Sequence, residues 1–332
     1  MENDHPKINY GKTGLLLVNL GTPDSTGWWD IRKYLKEFLS DKRVIEVNPI
    51  LWKVILNLLI LNLRPSKTAK AYKEIWMKKE NMSPLRYFTI KQTEKLEKKI
   101  TNKNIIIDFA MRYGNPSIKS KMVKLQKQGC EKIIILPLYP QYAAATTATV
   151  CDEVYRTLIK MRWQPSLQII PHYESEPLYI NALYNSLNTK ISEINWKPDL
   201  IIASYHGIPK KYFDKGDPYH CYCQKTTRLI SEKFTKFPIK TTFQSRFGPQ
   251  DWLQPYTDKT LESLPKEGKS NILVICPGFS SDCVETLEEI SIQGKESFVS
   301  NGGKNFDLVP CLNDGEDHID LLIHLVKKYY TG

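Results

Sequence analysis

Short apolar runs recur along the chain, separated by longer amphipathic stretches. The runs fall at residues 15–19, 105–110, 133–138, 167–171, 200–203, 241–244, 272–276 and 306–310. Most are dense in Ile, Leu or Val and do not alternate with polar residues. Strands buried on both faces of a parallel sheet have this pattern. Stretches such as 117–129 and 151–161 carry their apolar positions at helical spacing. Strand–helix repetition of this kind predicts an α/β fold. Eight runs in 332 residues fit two sheets of four better than one sheet of eight. Residues 174–196, a helix and then a turn into Pro198, lie between the two sets. They divide the chain into a first domain over 1–176 and a second over 177–316. A last helix, 317–330, ends in basic residues that suit its dipole and is expected to pack back on the first domain.

Ligands of open parallel sheets bind beyond the carboxyl ends of the strands. No GxGxxG or GxxxxGK[ST] follows the first run, which counts against a dinucleotide or P-loop site. The fifth run continues into His206, Gly207, Ile208 and Pro209, so His206 is expected at a strand end facing a cleft. An imidazole there accepts protons near neutral pH or ligates a metal; the plainer alternative is a histidine bonded to backbone. The seventh run continues as PGFSSDCVETLEEI. Asp282-x-x-Glu285 has the form of a capping box, and acids at a helix start suit the dipole. Glu285 and Glu289 are four apart and share one face, where like charges are unfavourable. That pair suits proton handling or a hard cation. Val284, Leu287 and Ile290 are expected to face the core. The third run continues into Tyr139, Pro140 and Gln141, the remaining strand end of interest. His220-Cys221-Tyr222-Cys223 resembles a metal fragment but lacks a second ligand pair at zinc spacing.

Composition narrows the classes. Hydrophobic residues make up 41% and charged residues 25%, which excludes a disordered or fibrous chain. Lys and Arg total 47 against 36 Asp and Glu, a formal charge of +11. The excess suits an anionic ligand, an acidic membrane surface or nucleic acid. No nucleic-acid motif accompanies it, and Lys-rich runs such as 95–99 fit solvated faces, so no nucleic acid partner is expected. Seven scattered cysteines argue against a disulfide framework. Together with a polar N-terminus lacking a signal pattern, they point to a cytoplasmic protein. Residues 50–63 hold eleven apolar residues interrupted only by Lys53, Asn57 and Asn62. A span needs about 20, so the segment is expected to lie on the inner face of a membrane, with a buried helix whose Lys53 and Asn57 form a polar face as the alternative.

Five segments, in order, carry a resemblance: LLLVNLGTPDS, LPLYPQY, ASYHGIPKKYFDKGDPYHCYC, TTFQSRFGPQDWLQPYTD and CPGFSSDCVETLEEI. Together they resemble the ferrochelatase family, most closely its proteobacterial members, from about Gly14 to near the C-terminus. The resemblance implies two Rossmann-like chelatase domains, each a four-stranded parallel sheet flanked by helices, with a porphyrin cleft between them. It implies a lyase that inserts Fe²⁺ into protoporphyrin IX, releasing two protons and forming protohaem, the last step of haem biosynthesis. By the same resemblance His206 is the proton acceptor and Glu285 its acidic partner, both as candidate metal ligands. Glu289 and Asp282 fall on a proton or metal path leading away from them. Leu20, Arg112, Tyr113, Tyr139, Trp252 and Phe279 fall at porphyrin-contacting or cleft-lining positions, and 50–63 resembles the apolar lip of the cleft. Some members bind a 2Fe–2S cluster, in animals partly on a C-terminal extension that has no counterpart up to Gly332. Ala144 stands where the animal pattern has Cys, so no permanent cofactor is expected. Cys283 stands where some relatives have His. A chelatase for another tetrapyrrole such as coproporphyrin, and a non-catalytic porphyrin carrier, are the competing readings; the Glu285/Glu289 pair speaks against the carrier.

Overall fold

A computed structural model describes residues 11–330. The polar N-terminus read above therefore lies largely outside the described residues. All eight apolar runs form strands: β1 (Lys12–Thr22), β2 (Ile105–Gly114), β3 (Cys130–Pro137), β4 (Ser166–Ile169), β5 (Leu200–His206), β6 (Ile239–Gln244), β7 (Asn271–Ile275) and β8 (Asn305–Leu308). They make two all-parallel sheets of four, ordered β2-β1-β3-β4 and β6-β5-β7-β8. The two orders are the same permutation, a likeness of topology that the sequence does not display as internal identity. In each sheet the two central strands are sealed: Leu15 to Val18 and Ile201 to Ala203 are fully buried. Unbroken apolar runs mark these positions because both faces are covered by helices.

The helix predicted at 117–129 runs Ile118–Lys127, and that at 151–161 runs Thr149–Ile159. Ser117 caps the first, its side chain accepting from the Ser120 N–H. Residues 174–196 form the helix Pro177–Glu193, with Pro at its first position. One cluster of buried side chains joins the two sheets, running from Leu15 and Leu17 through Tyr179 and Leu183 to Ile201, Leu273 and Ile319. The last helix, Glu316–Lys327, lies against both halves: it packs on Pro177–Glu193 and on Pro84–Lys99. Lys95 and Lys99 pair with Asp314, Glu316 and Asp320 at its start.

Two segments differ from the sequence expectation. Residues 50–63 are not one uniform helix. An α-helix (Pro49–Ile55) passes through a π turn (Leu56–Ile60) into a second helix (Leu61–Ile75) that continues through Pro65. Leu56 and Leu61 turn inward, while Ile50, Leu58 and Leu63 are 77%, 73% and 68% exposed. The Asn57 amide donates to the Lys53 carbonyl and the Asn62 amide to the Leu58 carbonyl, so both amides are taken up by the helix's own backbone. The helix after β7 does not start at Asp282. It starts after Cys283, whose N–H donates to the Thr286 hydroxyl, and after one short α turn (Val284–Thr286) it widens into a π-helix (Leu287–Gly294). The three apolar positions expected to face the core still do so. Ile290 and Leu287 pack in the second half, and Val284, on the α turn before the widening, packs in a cluster of the first half with Ile31, Tyr34 and Leu61.

Candidate functional site

In both sheets the chain reverses direction of winding between the first and third strands of the set. That places a crevice beyond the carboxyl ends of β1 and β3, and of β5 and β7. His206 is the last residue of β5 and is half-buried. Its Nδ1 lies 2.6 Å from the Gly207 carbonyl oxygen, which fixes the ring and occupies that nitrogen. The bond to backbone, the plainer alternative for this residue, thus also aims the ring. Gly207 is required by packing. A Cβ there would stand 2.9 Å from the Gln244 carbonyl oxygen and 3.2 Å from Trp252. Trp252 covers this end of the strand, its indole N–H donating to the Phe247 carbonyl.

The opposite side of the site is the chain leaving β7. Glu289, on the π-helix, lies within electrostatic reach of both the His206 imidazole and the Glu285 carboxylate. Burial raises its pKa above the ordinary carboxylate range. Hydrogen bonds from Ser245 and the nearness of His206 oppose that rise, and Glu285 adds to it. Ser245 donates to Glu289 twice, from its backbone N–H at 2.7 Å and its hydroxyl at 2.5 Å. The Gln244 amide donates to the Glu285 carbonyl at 2.7 Å. The sheet end carrying His206 therefore also holds the helix carrying both acids. Asp282 does not join this face, although the sequence set it on the same path as Glu289. Its carboxylate accepts from the Thr286 hydroxyl, the Cys311 N–H and the Asn313 amide, and its own N–H donates to Asn313. It anchors the loop beneath the helix.

The first half supplies the facing wall. Leu20 and Gly21 at the end of β1 line a narrow cavity with Tyr34, Tyr72, Cys283 and Glu285. Gly21 is at φ +115°, and a Cβ there would collide with the Tyr113 carbonyl; only glycine fits both conditions. Tyr34 and Tyr72 are buried, with hydroxyls pushed well above the usual phenol range first by burial, with the nearby Glu285 charge adding to the rise. Neither was singled out from sequence. Both sit at ordinary core spacing in helices, which carries no signal of a site. Gln244 and Ser245 were also missed, although Gln244 ends β6 and Ser245 follows it, where the strand-end rule would have found them.

The remaining sequence candidates are placed unevenly. Phe279 packs with Leu85, Met111 and Cys283 where the two halves meet. Arg112, Tyr113 and Tyr139 form a neighbouring buried group. The Arg112 guanidinium is occupied: it pairs with Asp41, donates to the Thr149 carbonyl and lies 4.3 Å over the Tyr113 ring. Tyr113 also donates to Asp41. The Tyr139 hydroxyl is buried without a hydrogen-bond partner. Cys221 is exposed and Cys223 fully buried on one helix, so the pair does not share a face. Among the described residues no three or more His, Cys, Asp or Glu side chains converge to cage a metal ion.

A ferrochelatase family model matches residues 12–330. The chain belongs to the ferrochelatase family. It is 54% identical over 335 residues to the ferrochelatase of Allorhizobium ampelinum, covering 100% of this chain and 97% of that one. It is 53% identical over 332 residues to that of Rhizobium meliloti, covering 99% and 98%, and 52% identical over 323 residues to that of Francisella tularensis, covering 96% of each. Among solved structures, SirB from Bacillus subtilis with Fe³⁺ superposes with a TM-score of 0.59 at 12% identity, covering 96% of this chain and 95% of that one. The sirohydrochlorin chelatase SirB from Bacillus subtilis subspecies spizizenii in complex with cobalt gives 0.57 at 11%, with coverage of 96% and 95%. At that identity the likeness speaks for the two-domain chelatase fold alone. The family's reaction is iron insertion into a porphyrin at the final step of haem biosynthesis, and porphyrin and iron are its substrates.

Proposed function

We propose that this chain is a lyase that inserts Fe²⁺ into protoporphyrin IX, with His206 as proton acceptor and Glu285 as its acidic partner. The observation that carries the reading is the meeting of one imidazole and two carboxylates beyond β5 and β7. Free protoporphyrin is nearly planar and carries two pyrrole N–H protons. Iron enters when the ring is bent and both protons leave, so one Fe²⁺ is bound and two protons are released. A cleft of fixed shape applies binding energy to the bending. His206, its Nδ1 side fixed by the Gly207 carbonyl, accepts a pyrrole proton at Nε2. Glu285 and His206 offer oxygen and nitrogen to the incoming iron, and Glu289 passes charge and protons outward. Asp282 holds the loop that carries them.

In this reading Leu20, Trp252 and Phe279 form the wall nearest the reacting nitrogens. Arg112, Tyr113 and Tyr139 form a deeper part of it, with Arg112 acting as a braced surface because Asp41 already neutralises it. Domains over 1–176 and 177–316 supply one wall each, and the closing helix bolts them together. Iron is substrate, and no 2Fe–2S cluster is proposed: the split faces of Cys221 and Cys223 support that. No nucleic acid partner is proposed. The protein is proposed to be cytoplasmic and peripheral, touching the membrane through 50–63. In support of a surface contact, Leu51, Leu58, Leu59 and Leu63 are all exposed, and no helix among the described residues is long and apolar enough to cross a bilayer. That apolar lip favours protoporphyrin, with its two vinyl groups, over the tetracarboxylate coproporphyrin. Side-by-side anaerobic turnover tests this. Protoporphyrin should be metallated faster at equal concentration; faster use of coproporphyrin would reassign the substrate.

A further inference from the structure

We infer that Ser245 is a positioning residue for metal insertion, holding the Glu289 carboxylate in line with His206 and Glu285 through two hydrogen bonds. The inference rests on the reading of Glu289 as part of the proton and iron path.

Three observations carry it. Ser245 directly follows β6, and its backbone is at φ +65°. That left-handed conformation is uncommon outside glycine, asparagine and aspartate, so a serine held there is constrained by its surroundings. The conformation turns both its donors to one side, and both end on Glu289, one on each oxygen. A half-buried carboxylate held by two donors has one orientation, which a single bond would not enforce. Lastly, the preceding residue grips the same helix: Gln244 donates to the Glu285 carbonyl and accepts from Ser204. A π-helix sets its carbonyls out of α register and is kept by contacts from outside. The end of β6 is therefore a two-residue grip on the helix that presents the acids. The hydroxyl is not needed to fold the turn, since glycine suits φ +65° better than serine. Its contribution is the second bond to Glu289.

The test is a double-mutant cycle with Fe²⁺ and protoporphyrin under anaerobic conditions, using Ser245→Ala, Ser245→Gly, Glu289→Gln and the Ser245→Ala/Glu289→Gln pair. Ser245→Ala should lower kcat by roughly tenfold, the scale of one charge-assisted hydrogen bond, and leave the porphyrin KM within about twofold. Ser245→Gly should lose kcat equally, although it relieves the backbone. In the Glu289→Gln background the Ser245→Ala loss should vanish, because the two residues act as one unit. Should Ser245→Ala fail to fold, Ser245→Gly carries the comparison. Wild-type kcat in Ser245→Gly, or losses that simply multiply in the double variant, would overturn the inference while leaving the role of Glu289 standing. Wild-type kcat in Glu289→Gln would remove that role, and the inference with it.

Discussion

At the scale of single residues, His206 and Glu285 are proposed to meet the reacting atoms, and Ser245, Gln244 and Asp282 to hold the elements that carry them. Glu285 and Glu288 are three positions apart and differ in placement. Glu285 lines the cavity between the halves, whereas Glu288 accepts from the exposed Gln293 amide on the outer side of the helix. Glu285→Gln is expected to lower kcat at least tenfold more than Glu288→Gln, with equal thermal midpoints, measured as porphyrin consumption per folded molecule. Equal activities would mean that Glu285 serves the helix start and not the reaction. His206 was legible in the sequence because a strand-end histidine before glycine is a local pattern. Tyr34 and Tyr72 were not, since nothing in a helix sequence says which distant wall its core tyrosines will face. The partners of Asp282 were not legible for a related reason. Its spacing to Glu285 matches a capping box, but Asn313 and Cys311, 31 and 29 residues away, claim its oxygens.

At the scale of elements, the eight strands were legible because buried parallel strands need unbroken apolar runs. The π-helix was not, since an i,i+4 acid pair looks the same in α and π geometry over a single turn. Residues 50–63 show the opposite case, a segment whose composition announced its exposure. Six of its side chains, Ile50, Leu51, Val54, Leu58, Leu59 and Leu63, remain large, apolar and exposed. Trp52 is not one of them: its indole donates to the Leu39 carbonyl and packs inward. Apolar surfaces of this extent mark interaction sites, and basic residues near anionic lipid add about 1 kcal/mol each. Vesicle co-sedimentation should therefore retain the wild type on anionic vesicles at low salt. It should lose Leu51→Ser/Leu58→Ser/Leu59→Ser while that variant keeps its fold. Equal sedimentation of both would place the membrane contact elsewhere.

At the scale of the whole molecule, the last helix packs on both halves and starts over a buried histidine. The His318 Nδ1 lies 2.6 Å from the Asn313 carbonyl, and burial lowers its pKa to about 4. The folded protein keeps it neutral where the unfolded chain, titrating near 6.5, takes up a proton. Its contribution is complete above pH 6.5 and is lost as pH falls toward 4, on the order of 3 kcal/mol across that window. Urea midpoints at pH 7, 5 and 4 should fall more steeply for the wild type than for His318→Leu. Parallel slopes would show that His318 is not the group concerned. Asn313 also binds Asp282, so protonation of His318 is expected to loosen the loop beneath the acidic helix. Metallation of protoporphyrin through His206 is read out by incubating purified chain anaerobically with Fe²⁺ and protoporphyrin IX and following the porphyrin spectrum to protohaem. Wild type should convert the porphyrin with two protons released per iron, and folded His206→Ala should not. Conversion by His206→Ala at the wild-type rate would remove His206 from the reaction, and none by the wild type would rule out iron insertion into protoporphyrin.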